Sequence, residues 1–208
     1  MNELAAAADW FRNALRRIDA SPDPEQYSRP SVLVNLADVD RMNGQWGSAE
    51  AIYLEVLGAP EASTFEKDNA MIQLGQMFHS AKRYAASRRY LRQSFEFREA
   101  YYGPRHPLTL SAMRKMSRVM DESERYDELL KGLDDSLDRH AKEFPPAAGP
   151  ICEARSLMAK ALIGLGRRED AEHYLQATIE LISSERGAKH KYALAANKQL
   201  DALRTAEE

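Results

Sequence analysis

The chain has 208 residues, 44% of them hydrophobic and 29% charged, with a formal net charge of −3. That is enough length and apolar content to bury a core, and it excludes a disordered or collagen-like chain. Ten glycines, nine prolines and one cysteine argue against a turn-rich β-sandwich and exclude an internal disulfide, and no basic excess points to nucleic acid or an anionic membrane.

In chain order, residues 2–20 read as one helix with Ala7, Phe11 and Ala14 on a common face. Glu3 and Asp9 interrupt this stretch, so it is no apolar signal sequence, and no run long enough to span a membrane follows. With its lone cysteine the chain is expected in a reducing compartment, the cytoplasm. The helix serves either as a natural cap or as the second arm of a half-repeat in a larger protein. The segment 21–30, SPDPEQYSRP, reads as a linker.

Four segments then share one pattern: residues 32–57, 70–95, 112–137 and 154–179. Each reads as helix, short polar turn, helix, with apolar residues at i, i+3, i+4 and i+7 in each arm. A large apolar residue precedes a small one at Leu36-Ala37, Leu74-Gly75, Met116-Ser117 and Met158-Ala159. Three residues on stand Asp40, Phe78, Met120 and Leu162, then a turn slot with Gly44, Lys82, Glu124 and Gly166. The second arm opens on Trp46, Tyr84, Tyr126 and Arg168. It continues with a mostly small residue, Ala49, Ser87, Leu129 and Ala171, and then a larger apolar one, Tyr53, Leu91, Leu133 and Leu175. Antiparallel helices joined by a tight turn approach closely only where side chains are small, and larger side chains fill the gaps above and below. Leu129 breaks this rule and predicts a splayed third pair. Asp40 and Arg155 stand where apolar residues are usual. Pro30, Pro107 and Pro150 mark helix starts. EFPPAAGP, residues 143–150, reads as a second linker, and residues 189–206 as a lone polar-faced capping helix.

These slots resemble the tetratricopeptide repeat, with LGQMF (74–78) and KRYAAS (82–87) the closest match and GRREDAEHYL (166–175) the next. The equivalent small residues are spaced by 38, 42 and 42, against the basic unit of about 34. With Gly103, His106 and Pro107 in the link, this is similar to the kinesin-light-chain-type variant, whose second helix is longer. The resemblance implies an all-α, right-handed solenoid in a single domain, 1–208. Its parts are a flanking helix at 2–20, repeats at 30–62, 64–103, 107–143 and 150–184, and a C-terminal cap at 189–206.

Motifs for chemistry are absent. There is no phosphate-binding glycine loop, no paired metal-ligand spacing and no nucleophile elbow. His79 reads as a surface residue, His106 as a local cap and Cys152 as a buried, inert thiol. The carboxylates of 121–138 read as a solvated face, and Met113, Met116 and Met120 as core. No catalytic residue, no metal and no cofactor is expected.

In a helix-pair solenoid the first helix of each pair lines the inner surface. The inward side chains are then Val34, Asn35, Asp38, Arg41 and Met42; Asn69, Ile72, Gln73, Gln76 and His79; Arg114, Lys115, Arg118 and Asp121; and Ser156, Leu157 and Lys160. Amides at Asn35, Asn69, Gln73 and Gln76 can hydrogen-bond an extended backbone. Cations at Arg114, Lys115, Arg118 and Lys160 suit carboxylates. The same cations can also form a solvated face balanced by Asp121 and Glu122. The chain is therefore expected to be a non-catalytic scaffold or adaptor that binds an extended, acid-bearing peptide of a partner protein, with no nucleic acid or membrane partner. The alternative is a regulatory or sensor repeat segment of a larger multidomain signalling protein. Oligomeric state is left open.

Overall fold

The structure, a computed structural model, describes residues 2–22, 28–103, 106–122, 124–141, 145 and 147–205, with the backbone alone at 2, 135–141 and 150. Among these residues there are ten helices and no strand: α1 (Asn2–Asp19), α2 (Arg29–Met42), α3 (Trp46–Gly58), α4 (Thr64–Ser80), α5 (Tyr84–Tyr102), α6 (Pro107–Glu122), α7 (Tyr126–Ala141), α8 (Gly149–Gly164), α9 (Arg168–Arg186) and α10 (Lys191–Thr205). They form four helix pairs, α2–α3 through α8–α9, with one helix before and one after. Both expected linkers fall partly outside the described residues.

One hydrogen-bond circuit recurs in all four pairs. The turn-slot residues Gly44, Lys82, Glu124 and Gly166 have φ of 78°, 56°, 55° and 71°. This left-handed residue lets the next amide reach back to the slot three residues past the small one: Gln45 N to Asp40 O, Arg83 N to Phe78 O, Arg125 N to Met120 O and Arg167 N to Leu162 O, at 2.7–3.0 Å. The first helix thus ends in a Schellman-type closure. The same four residues then offer their carbonyls to the small-slot amides of the second helix, Ala49, Ser87, Leu129 and Ala171.

The small slots are where the helices touch. Ala37, Ala49, Ser87, Ala159 and Ala171 are all 0% exposed. A Cβ at Gly75 would fall 2.6 Å from Leu91 Cγ, and Ser87 Oγ donates to Gly75 O at 2.6 Å. Leu129 is nonetheless buried.

The chain divides into two compact units, Met1–Phe97 and Arg98–Glu208. In the first, Leu33, Val34, Ala37, Tyr53, Val56, Leu74 and Phe78 share a core with partly buried Leu15 of α1. On α1, Ala8 and Ile18 are the buried residues, while Ala7, Phe11 and Ala14 are half-buried, so the packed face is turned slightly from the expected one. The departure at Asp40 has a physical answer: its buried carboxylate accepts hydrogen bonds from Arg12 Nη2 at 3.0 Å and Ser48 Oγ at 2.6 Å, which fastens α1 to the first pair. Glu66 joins two helix starts. It accepts from Ser28 Oγ at 2.6 Å, from Ser31 Oγ and from Ser63 N at 2.7 Å, and Ser63 completes a capping box on α4.

In the second unit, Thr109 Oγ1 sits 3.0 Å from the Arg98 carbonyl and 2.9 Å from that of Gly103. The His106 ring stacks on Tyr102, and its Nδ1 accepts from Leu108 N at 3.3 Å. His106 is therefore a local cap, as the link motif implies. Ala159, Leu162, Ala171, Leu175, Ala196, Leu200 and Leu203 make the core under α10, which covers the apolar face that the fourth pair would otherwise expose.

Candidate functional site

A cavity of about 530 Å³ opens in the second unit. Helix α6 supplies Arg114, Arg118, Asp121 and Glu122; α8 supplies Cys152, Glu153, Ser156, Leu157 and Lys160; α9 supplies Leu175 and Thr178; α10 supplies Tyr192, Ala195 and Ala196. Three of the four contributing helices are the first arms of the third and fourth pairs and the terminal helix. The helical period does the local positioning: Arg114, Arg118 and Asp121 lie at i, i+4, i+7, and so do Glu153, Leu157 and Lys160. Each triplet presents one face.

The wall carries both charges. Arg118 Nε pairs with Glu122 Oε1 at 2.7 Å along α6. Two further pairs run between α6 and α8: Arg114 Nη1 to Glu153 Oε2 at 3.5 Å and Lys160 Nζ to Asp121 Oδ2 at 3.0 Å. Tyr192 donates its hydroxyl to Glu153 Oε1 at 3.1 Å. Burial, and then the Glu153 charge, hold the Tyr192 hydroxyl above its ordinary pKa. The cationic side chains of these three pairs are more than half exposed, so each pair is weak and exchangeable. The same cavity is also lined by the apolar side chains of Leu157, Ala195 and Ala196. Cys152 is buried, and burial pushes its thiol up, away from the thiolate that nucleophilic chemistry requires.

Of the residues singled out from sequence, Arg114, Arg118 and Lys160 come together on this cavity, with Asp121, Ser156 and Leu157 beside them. Lys115 is not among its lining residues. It is half-buried, and burial together with the charges of Arg98, Arg114 and Arg118 lowers its pKa. The amides belong to the first unit. Asn35 is exposed, and Asn69, Gln73 and Gln76 are half-buried, with Gln76 Nε2 donating to Gln73 Oε1 at 3.2 Å. Of their inward neighbours, Val34 and Ile72 are core, Met42 is exposed, and Asp38 accepts from Tyr53 OH at 2.6 Å.

Sequence reasoning missed Glu153 and Tyr192. The period of α8 held the clue, because Glu153 is one turn before Leu157 and two before Lys160. Tyr192 lay in a stretch read only as a cap. Treating it as one more inner helix would have drawn Tyr192, Ala195 and Ala196 to the same face.

Residues 67–131 match the family model of the tetratricopeptide repeat. No curated protein matches the chain by sequence. Among solved structures, the chain is similar to the nearly identical TPR-like repeats of a Podosopora anserina kinesin light chain, at 15% identity and a TM-score of 0.67, covering 89% of this chain and 90% of that one. BtubC from P. vanneervenii is similar at 9% identity and a TM-score of 0.62, with 99% and 82% covered. The apo form of RapI is similar at 14% identity and a TM-score of 0.66, with 94% of this chain matching 54% of that chain. A Rap protein complexed with Competence and Sporulation Factor follows at 14% identity and a TM-score of 0.52, with 98% and 60% covered. The chain has the all-α tetratricopeptide-repeat fold, and the resemblance drawn from its slots holds. Among the described residues, no helix is long and apolar enough to cross a membrane.

Proposed function

We propose that this chain is a non-catalytic scaffold or adaptor that holds an extended, acid-bearing segment of a partner protein in the cavity of its second unit. The observation that carries the reading is the cavity itself, which Arg114, Arg118 and Lys160 line together with apolar Leu157 and Ala195 and with exchangeable carboxylates from the same helices. Tetratricopeptide repeats commonly mediate protein–protein interactions, and a Rap protein of related fold is complexed with Competence and Sporulation Factor. Charge-assisted bonds to a carboxylate exceed neutral ones in strength, and the apolar side chains add area. The amides Asn35, Asn69, Gln73 and Gln76 of the first unit form a second, separate surface for peptide backbone, and Lys115 adds positive potential to α6. The site needs no cofactor, metal, nucleic acid or membrane, and the protein acts in the cytoplasm.

A second reading is a regulatory or sensor segment of a larger signalling protein. Only the larger-protein part of it has support here, from RapI, a longer chain of which this one covers 54%. The test of the first reading is a pull-down from source extract with the wild-type chain and with Arg114→Glu/Arg118→Glu, helicity being checked by circular dichroism. Partners held by the wild type and lost by the variant are expected. The same partners held equally by both would overturn the reading.

A further inference from the structure

The walls of the cavity carry charge in opposite order. Along α6 the cations come first, Arg114 and Arg118, and the carboxylate Asp121 follows; along α8 the carboxylate Glu153 comes first and Lys160 follows. The two cross-pairs, Arg114 to Glu153 at 3.5 Å and Lys160 to Asp121 at 3.0 Å, are the result. We infer that this cavity selects a peptide segment carrying both an acidic and a basic side chain flanking an apolar one, in preference to a uniformly acidic segment. The inference rests on the partner-binding reading of the cavity and specifies its ligand.

The two members of each cross-pair are not equally wet. Side-chain exposure is 55% for Arg114 against 31% for Glu153, and 51% for Lys160 against 24% for Asp121. The cations reach outward and can turn to a guest, while the carboxylates sit deeper, Glu153 held from the other side by Tyr192. A uniformly acidic guest can recruit Arg114 and Lys160 only by taking them from Glu153 and Asp121; Arg118 is paired along its own helix with the more exposed Glu122. Glu153 and Asp121 would then lie unpaired under a bound chain, beside further negative charge. Stranding a partly buried charge costs more than a new surface pair returns. A guest with both signs exchanges partners instead: its acid takes Arg114 or Lys160, its base takes the carboxylate released, and no charge is left alone. The apolar residue between them covers Leu157 and Ala195. The carboxylates thus act as discriminating groups, rejecting one class of ligand by repulsion while admitting another.

The test pans a displayed library of random dodecapeptides on the full chain, with Glu153→Gln and Arg114→Glu/Arg118→Glu panned in parallel and their helicity checked. On the wild type, enriched peptides should carry an Asp or Glu and a Lys or Arg around an apolar residue. Affinities of two selected peptides, one mixed and one uniformly acidic, are then read by fluorescence anisotropy. Glu153→Gln should improve the acidic peptide relative to the mixed one by about tenfold, a factor equal to about 1.4 kcal/mol. Enrichment of uniformly acidic peptides on the wild type, with no relative gain in Glu153→Gln, overturns this inference and leaves the cavity as a binding site. No enrichment, or enrichment kept by Arg114→Glu/Arg118→Glu, overturns the binding-site reading and this inference together.

Discussion

Gly75 and Gly132 are both glycines inside helices, yet they should answer mutation in opposite directions. A side chain at Gly75 must enter the space of Leu91, which is 1% exposed and has nowhere to go. Gly75→Leu should therefore destabilise the protein by about 1–3 kcal/mol through overpacking. At Gly132 nothing lies within 4 Å of an added Cβ, so Gly132→Ala should stabilise by about 0.5–1 kcal/mol from helix propensity alone. Denaturant melts of both variants check the pair, and a loss at Gly132 equal to that at Gly75 would contradict the packing argument. Glu66 gives a pH-dependent case. Burial works against its ionisation, but hydrogen bonds from Ser28, Ser31 and Ser63 outweigh this and draw it from 4.5 to about 2. A depressed carboxylate contributes stability above its unfolded pKa and loses it as pH falls through the folded one. The window is therefore pH 4.5 down to about 2. Because the group is partly open to solvent, the contribution is discounted to about 1 kcal/mol. The stability gap between wild type and Glu66→Gln should be near that value at pH 6 and close as pH approaches 2. A gap that does not change with pH would remove Glu66 from this role. The small-residue slots were legible in sequence because sterics alone decides them. Glu153 and Tyr192 were not, because a half-exposed polar residue satisfies many environments equally and only its neighbours give it a role.

The helix–turn–helix element carries its own strain. All four turns demand a left-handed residue, but only Gly44 and Gly166 are glycine, while Lys82 and Glu124 adopt φ of 56° and 55°. A side-chain-bearing residue there costs roughly 1 kcal/mol. Lys82→Gly and Glu124→Gly should each stabilise by up to about 0.6 kcal/mol once the unfolded-state entropy cost of glycine is set against relief of strain. Thermal melts showing either variant less stable would mean that the turn is not the strained point. The attachment of α1 is a second property of an element. Arg12→Ala should cost about 1–3 kcal/mol, because it leaves Asp40 buried with Ser48 as its remaining hydrogen-bond donor. Arg12→Leu/Asp40→Leu should recover most of that loss, since an apolar pair suits the slot that the other three repeats fill with Phe78, Met120 and Leu162. If the double variant is as unstable as Arg12→Ala, the ion pair does more than offset its own desolvation. The sequence showed Asp40 as an anomaly in its slot and stopped there. Its partner lies 28 residues away on α1, and no periodicity links the two. The face of α1 was close to right for a related reason: Ala7 and Ala8 differ little in an alanine-rich helix, and packing alone chose between them.

For the whole molecule, the repeat architecture was the most legible feature, because four independent copies of one pattern must agree. The site was half legible. Counting inward positions points to Arg114, Lys115, Arg118 and Lys160, either as a site for carboxylates or as a solvated face balanced by Asp121 and Glu122. The structure gives three cations each facing a carboxylate, with Lys115 outside the cavity lining. Asp121 and Glu122 were legible as balancing charges because they share α6 with the cations, whereas Glu153 lies on α8 and meets Arg114 only once the helices are assembled. The charged cavity of the second unit is proposed to hold a partner segment through exchange of its ion pairs. The most direct measurement is the affinity of a library-selected peptide for the wild type and for Arg114→Glu/Arg118→Glu across a range of salt. Screening acts over about 8 Å at physiological ionic strength, so affinity for the wild type should weaken steadily as salt rises. The doubly reversed protein, with unchanged helicity, should fail to bind at any salt. Unchanged affinity in that variant, together with no salt dependence in the wild type, would contradict the account.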